Sequence, residues 1–129
     1  MANGMSDYLE NAILNATLRG QAFTSPTTVY LALYTSDPTD ANSGVEVSGG
    51  AYTRQAITFN APSNGSVSSA ADVLFPIATA AWGTITHIAI FDAATGGNML
   101  YSAPLTTSKT IASGDQLKVA AGDVTVSLD

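Results

Sequence analysis

A chain of 129 residues with no cysteine can bury about two thirds of the surface it exposes when unfolded, so one core can hold it without disulfides or thiolate metal sites. Charged residues make up only 11%, against roughly 25% in an ordinary soluble domain. The balance of 10 acids to 4 bases argues against nucleic acid and against an anionic membrane as partners, because both need clustered Lys and Arg.

The first element is a helix. Ser6 is a good N-cap, Asp7 and Glu10 fall in the first turn, and Gly20 can supply a left-handed terminus, so a helix is predicted over 6–19. Leu9, Ile13 and Ala16 recur at helical spacing, and Leu14 and Leu18 add a second stripe. So wide an apolar surface predicts packing on a sheet or on a partner.

From Thr28 to Tyr34 the period changes to two. Val29, Leu31 and Leu33 take one face of a strand, and Tyr30 and Tyr34 the other. A polar excursion from Ser36 to Gly50 reads as a long loop, rich in the breakers Asp37-Pro38, Asn42-Ser43-Gly44 and Gly49-Gly50. Tyr52 to Phe59 alternates again, and Asn64-Gly65 is the strongest hairpin signal in the chain.

Val73 to Phe75 is a short strand stopped by Pro76. Thr84 to Phe91 reads as the central strand, with Ile85, Ala89 and Phe91 on one face and Ile88 and Ile90 on the other. Asn98 to Ala103 returns beside it, and brief strands follow around Thr110-Ile111, around Leu117–Val119 and over Val124–Leu128. Roughly seven to nine short strands with regular turns predict a mainly β fold, an antiparallel β-sandwich of jelly-roll type with one N-terminal α-helix. Residues 1–129 read as one domain, with the helix over 6–19 and strands over 28–128. The expected core is Leu31, Leu33, Ile57, Phe59, Phe75, Trp82, Ile88, Ile90, Leu100, Val124 and Val126.

Chemistry is thinly represented. His87 is the sole histidine, and it lacks the sequence context of a catalytic triad. No ordinary zinc set can be assembled. Asp37, Asp40 and Glu46 share the long loop, and Asp92 opens the Gly96-Gly97 turn, but none has the spacing of an EF-hand. These acids, and the paired glycines, read as turn formers, so neither a metal nor a cofactor is expected. Trp82 reads as core. Tyr30, Tyr34, Tyr52 and Tyr101 could anchor a protein interface, stack on a sugar or fill the core. Arg54 is open to two roles: an interface anchor, or an intramolecular ion pair with one of the acids. Arg54, Tyr30, Tyr34 and Tyr52 are the candidate partner-binding residues.

The order of blocks along the chain is specific. It runs Ser6-Asp7-Tyr8-Leu9-Glu10-Asn11, Leu18-Arg19-Gly20, Thr28-Val29-Tyr30-Leu31-Ala32-Leu33-Tyr34-Thr35-Ser36-Asp37-Pro38-Thr39-Asp40 and Glu46-Val47-Ser48-Gly49-Gly50. Then follow Tyr52-Thr53-Arg54-Gln55, Phe75-Pro76, Trp82-Gly83-Thr84-Ile85-Thr86-His87, Ile90-Phe91-Asp92-Ala93, Gly96-Gly97 and Leu105-Thr106-Thr107-Ser108-Lys109-Thr110. In these blocks, end to end, the chain resembles a family of short virion proteins of tailed bacteriophages that carry the label tail fibre protein. The resemblance implies a structural virion component and not an enzyme. The chain has no heptads, long repeats or collagen-like tract, and in that respect it looks more like a capsid decoration (cement) protein. Such a protein would bind the major capsid protein as a homo-oligomer, a trimer being favoured, and resist internal DNA pressure. The alternative is a tail component (short fibre, collar or baseplate subunit), followed by a carbohydrate-binding module and, last, a hydrolase. The N-terminus shows no basic region followed by an apolar core, so assembly in the host cytoplasm is expected, and the resemblance implies residence in the virion.

Overall fold

Ser6 begins the helix as its sequence suggests. In the computed structural model, which describes residues 4–128, its backbone is extended and its hydroxyl accepts from the Leu9 N–H at 3.2 Å. The first three residues and the last of the expected 1–129 domain lie outside the described residues. The same hydroxyl donates to the Met99 carbonyl, so one buried side chain both caps the helix and ties it to the sheet. Helix α1 runs Asp7–Leu18. Arg19 stands just beyond its last turn as the C-cap, with Nη1 donating to Asn15 Oδ1 at 3.0 Å. Gly20 then takes φ +66°, and the Gln21 N–H returns to the Asn15 carbonyl.

The strands are β1 (Val29–Tyr34), β2 (Gln55–Ile57), β3 (Ser66–Ser68), β4 (Val73–Leu74), β5 (Gly83–Phe91), β6 (Met99–Ile111), β7 (Lys118–Val119) and β8 (Thr125–Ser127). A four-stranded antiparallel sheet has the order β2-β1-β5-β6. The facing layer is divided into two ribbons, β3 with β8 and β4 with β7, so the sandwich-like arrangement has one continuous layer and one broken one. Asn64 and Gly65 both take positive φ, and Ser63 and Ser66 exchange backbone hydrogen bonds across them, as a two-residue primed turn requires.

Alternation explains where the core lies. Leu31 and Leu33 of β1 point into the main cluster with Leu9, Ile57, Phe75, Trp82, Ile90, Leu100, Val124 and Val126. Phe59 and Ile88 are half-buried against it. The other face of the large sheet carries a smaller cluster of Ala32, Tyr34, Ala89, Phe91 and Met99. Each fully buried side chain of the size of Phe75, Leu31 or Leu33 contributes about 1.5–3 kcal/mol relative to exposure.

Three expectations need correction. Ile85 does not share a face with Ala89 and Phe91; it lies in the main cluster with Ile90. The cause is a register shift between Ile85 and His87, which reverses the inward set of a period-two strand. At that point Leu105 to Ser108 of β6 stand opposite the single residue Thr86. Second, β6 does not stop at Ala103. It continues through Pro104, which is tolerated because β6 is an edge strand of the sheet, and takes in the stretch around Thr110-Ile111. Third, only Gln55–Ile57 of the alternating Tyr52–Phe59 run is strand, since Tyr52 and Arg54 turn to other partners.

The helix buries Leu9 and half-buries Ile13, but Leu14 is 53% exposed and Leu18 is 76% exposed. Its packing on the sheet is therefore one-sided. Among the described residues, no helix is long and apolar enough to cross a membrane.

The β5 assignment has a direct test. Ile90 is 4% exposed and pairs between Leu31 and Tyr101. The Ile90→Asp substitution places an unpaired carboxylate there, and the expected result is loss of the cooperative unfolding transition in calorimetry. A soluble variant with a wild-type melting profile would contradict the assignment.

Candidate functional site

The polar residues singled out by the sequence converge on one structure, and it faces inward. Arg54, just before β2, forms a two-pronged ion pair with Glu46: Nε donates to Oε2 and Nη2 to Oε1, each at 2.9 Å. Nη1 donates to the Ala93 carbonyl at 3.0 Å and to the Gly96 carbonyl at 2.8 Å. The guanidinium carbon sits 3.7 Å from the centre of the Phe91 ring. The Arg54 side chain is 7% exposed. Of the two roles open to Arg54, the intramolecular pair is the one this geometry forms.

The clasp gathers three segments. Glu46 belongs to the 36–50 stretch, whose end returns to β1 through a bridge with Tyr34 and a Val47 N–H bond to the Leu33 carbonyl. Ala93 and Gly96 belong to the β5–β6 turn. There, Asp92 accepts from the Asn98 N–H at 2.7 Å and from Asn98 Nδ2 at 3.1 Å. A Cβ on Gly97 would meet Asp92 Oδ1 at 2.5 Å, so a glycine is required in that turn. Phe91 comes from the sheet itself. Pro38 is fully buried, and a Cβ on Gly44 would meet the Asp37 carbonyl at 2.6 Å, so the 36–50 stretch is packed down.

Two of the candidate tyrosines belong to the same structure. The Tyr52 hydroxyl donates to Glu46 Oε2 at 2.7 Å and accepts from the Leu33 N–H at 3.0 Å. Its ring stacks on Phe75 and meets the edge of Trp82. Tyr34 stacks on Phe91 and donates to Asn42 Oδ1 at 2.6 Å. Tyr30 is half-buried in β1, opposite Phe91. Trp82 is core, as expected, with Nε1 donating to the Gly50 carbonyl at 2.8 Å.

Burial withholds ionisation from these phenols. Burial first, then the Glu46 carboxylate, pushes Tyr34 up to about 12, with Arg54 opposing. Tyr52 moves the same way, first by burial and then by its hydrogen bond to Glu46.

The other candidates do not converge. His87 Nδ1 lies 2.8 Å from Thr86 Oγ1, but Asp37 Oδ1 is 3.9 Å from Nε2, beyond the orienting hydrogen bond a triad needs. Asp37, Asp40 and Glu46 do not form one ligand set. Glu46 is held by Arg54 and Tyr52, Asp37 caps the Thr39 N–H, and Asp40 lies by Asp7 and Glu10.

One concave surface went unread in the sequence. A groove of about 670 Å³ opens between the bulged half of β6 and strands β7 and β8. Its apolar lining includes Leu33, Ile88, Leu105, Leu117 and Val124, and Lys109 and Lys118 also line it. Leu105, Thr106 and Thr107, three of the four residues opposite Thr86, form part of this wall, and the Leu-Thr-Thr-Ser run gives no sequence signal of a concavity.

Removing the clasp tests its weight. Arg54→Ala is expected to lower stability by about 3 kcal/mol, read as a fall of roughly 10 °C in Tm, because it leaves Glu46 and two carbonyls without their donor. Arg54→Lys should recover little, since one ammonium cannot reproduce the planar fork. The phenols give a pH test. Tyrosine has a higher pKa in the folded state, so the unfolded chain loses these protons first as pH rises. Stability from Tyr34 is fully present below pH 10 and is lost between 10 and about 12. The unfolding free energy from urea melts should fall over that window with a slope of up to about 1.4 kcal/mol per pH unit for each withheld phenol, and Tyr34→Phe should make the slope shallower.

A search of curated proteins finds no match. A family model described as podophage GP4 fiber I protein gp80 matches residues 4–127, which takes in the helix, every strand, the clasp and the groove. The chain therefore belongs to the Gp80 family of podophage fiber I proteins, a structural component of the phage virion.

Proposed function

We propose that this protein is a non-catalytic subunit of the fibre apparatus of a phage particle. It acts by binding other virion proteins and further copies of itself, with a trimer as the expected assembly, and it joins the particle in the host cytoplasm. The single observation that carries the reading is the family match across residues 4–127. The inward-facing polar residues support it: Arg54, Glu46 and Tyr52 are committed to holding loops on the sheet. Surface contacts, and not a reaction centre, are then the means of action.

Decoration of the shell is the second reading, with the major capsid protein as partner. The scarcity of charge favours it, since interface cores are depleted in charge. The two readings differ in stoichiometry. Quantitative mass spectrometry of purified virions is expected to give a small, fixed number of copies per particle. A ratio near one copy per capsid subunit, or a simple fraction of it, would replace the fibre reading with decoration.

A further inference from the structure

Two exposed features complement one another and cannot meet within one chain. The outward stripe of α1 runs Asp7, Glu10, Leu14 and Leu18, positions that helical spacing places on one face. All four are exposed, and the Asp7 and Glu10 carboxylates lie within 4.8 Å of each other and of Asp40. One end of the stripe is acidic and the other is leucine. The groove beside β6 has the opposite balance: its accessible apolar groups include half-buried Ile88, Leu105 and Val119, and Lys109 and Lys118 outnumber the one acid on its lining, Asp123.

The distribution of cations sharpens the match. Of the chain's 4 basic residues, Arg54 is enclosed in the clasp and Arg19 is bonded to the helix end at Asn15. The remaining two, Lys109 and Lys118, both line the groove. Lys118 Nζ lies 3.5 Å from Asp72 Oδ2, but both side chains are more than half exposed, so that pair is open to exchange. The helix of the same chain is tied to the far end of β6, at Met99 and Leu100, and does not line the groove.

We propose that the groove receives α1 of a second copy of this chain. Leu14 and Leu18 lie against Ile88, Leu105 and Val119, and Asp7 and Glu10 face Lys109 and Lys118. The contact is heterologous, helix of one copy to groove of the next, and the assembly it builds is a closed ring in which every helix and every groove is occupied. It rests on the self-associating part of the proposed function and adds the two surfaces that meet.

The test is reciprocal charge reversal in the full-length protein, read by native mass spectrometry and by size exclusion with light scattering. The wild type is expected to form a finite assembly. Lys109→Glu with Lys118→Glu, and separately Asp7→Lys with Glu10→Lys, should each shift it to monomer, raising the apparent Kd at least tenfold while the monomer still unfolds cooperatively. Mixing the two reversed proteins should restore assembly, which no misfolded variant could do. A monomeric wild type at tens of micromolar would overturn both the pairing of these surfaces and the self-association it rests on. A wild-type assembly that survives either reversal would overturn the pairing alone.

Discussion

The guanidinium of Arg54 is the constraint on which the far side of the large sheet depends. One face of that sheet is covered by the ribbons β3–β8 and β4–β7, and its other face has only loops to cover it. Loops lack the regular ladder that fixes strands, so something must hold them by their polar groups. Arg54 does this with a planar array of donors, reaching Glu46 on one side and the Ala93 and Gly96 carbonyls on the other. Beneath it, Phe91 offers the face of its ring, and Tyr34 extends the stack. A desolvated ion pair is stabilising only when its remaining hydrogen-bonding groups are also met, and Tyr52 supplies a further donor to Glu46.

A low content of charge therefore coexists with a concentrated use of it. The residues that carry charge include an inward pair, Arg54 and Glu46, and two outward groups of opposite sign. Asp7, Glu10 and Asp40 gather at the start of the helix, while Lys109 and Lys118 stand along the groove. Neutral Thr, Ser and Ala occupy much of the remaining surface, where they neither attract nor repel a neighbour strongly.

Local signals in the sequence were legible where one physical rule acts alone. Ser6 before the helix, Gly20 after it, and Asn64-Gly65 in a hairpin each answer to a single steric or hydrogen-bonding demand. The apolar alternation of β1 and the end of β5 answers to one buried face. Ile85 escaped because the change of face falls at a register shift in the β5–β6 ladder, and the residues out of step, Leu105 to Ser108, lie in a different strand. Arg54 and Glu46 were both visible, as candidates for an interface and for a loop cation site. Their union depends on the Gly49-Gly50 turn, where both glycines take positive φ and Trp82 leaves no room for a Cβ at Gly50. The family resemblance reached the virion from whole blocks of sequence, and the match over residues 4–127 agrees at that level.

The pairing of β3 with β8 has a consequence for how the chain is made. Ser66–Ser68 waits for Thr125–Ser127, and Val73–Leu74 waits for Lys118–Val119, before either ribbon exists. Val124 and Val126 of this late segment are also part of the main cluster. On a ribosome the large sheet can pair once Ile111 has emerged, but its inner face stays uncovered until residues near 127 leave the exit tunnel. Closure of the core thus waits for residues 118–127, and the nascent chain holds an open apolar sheet until they have emerged.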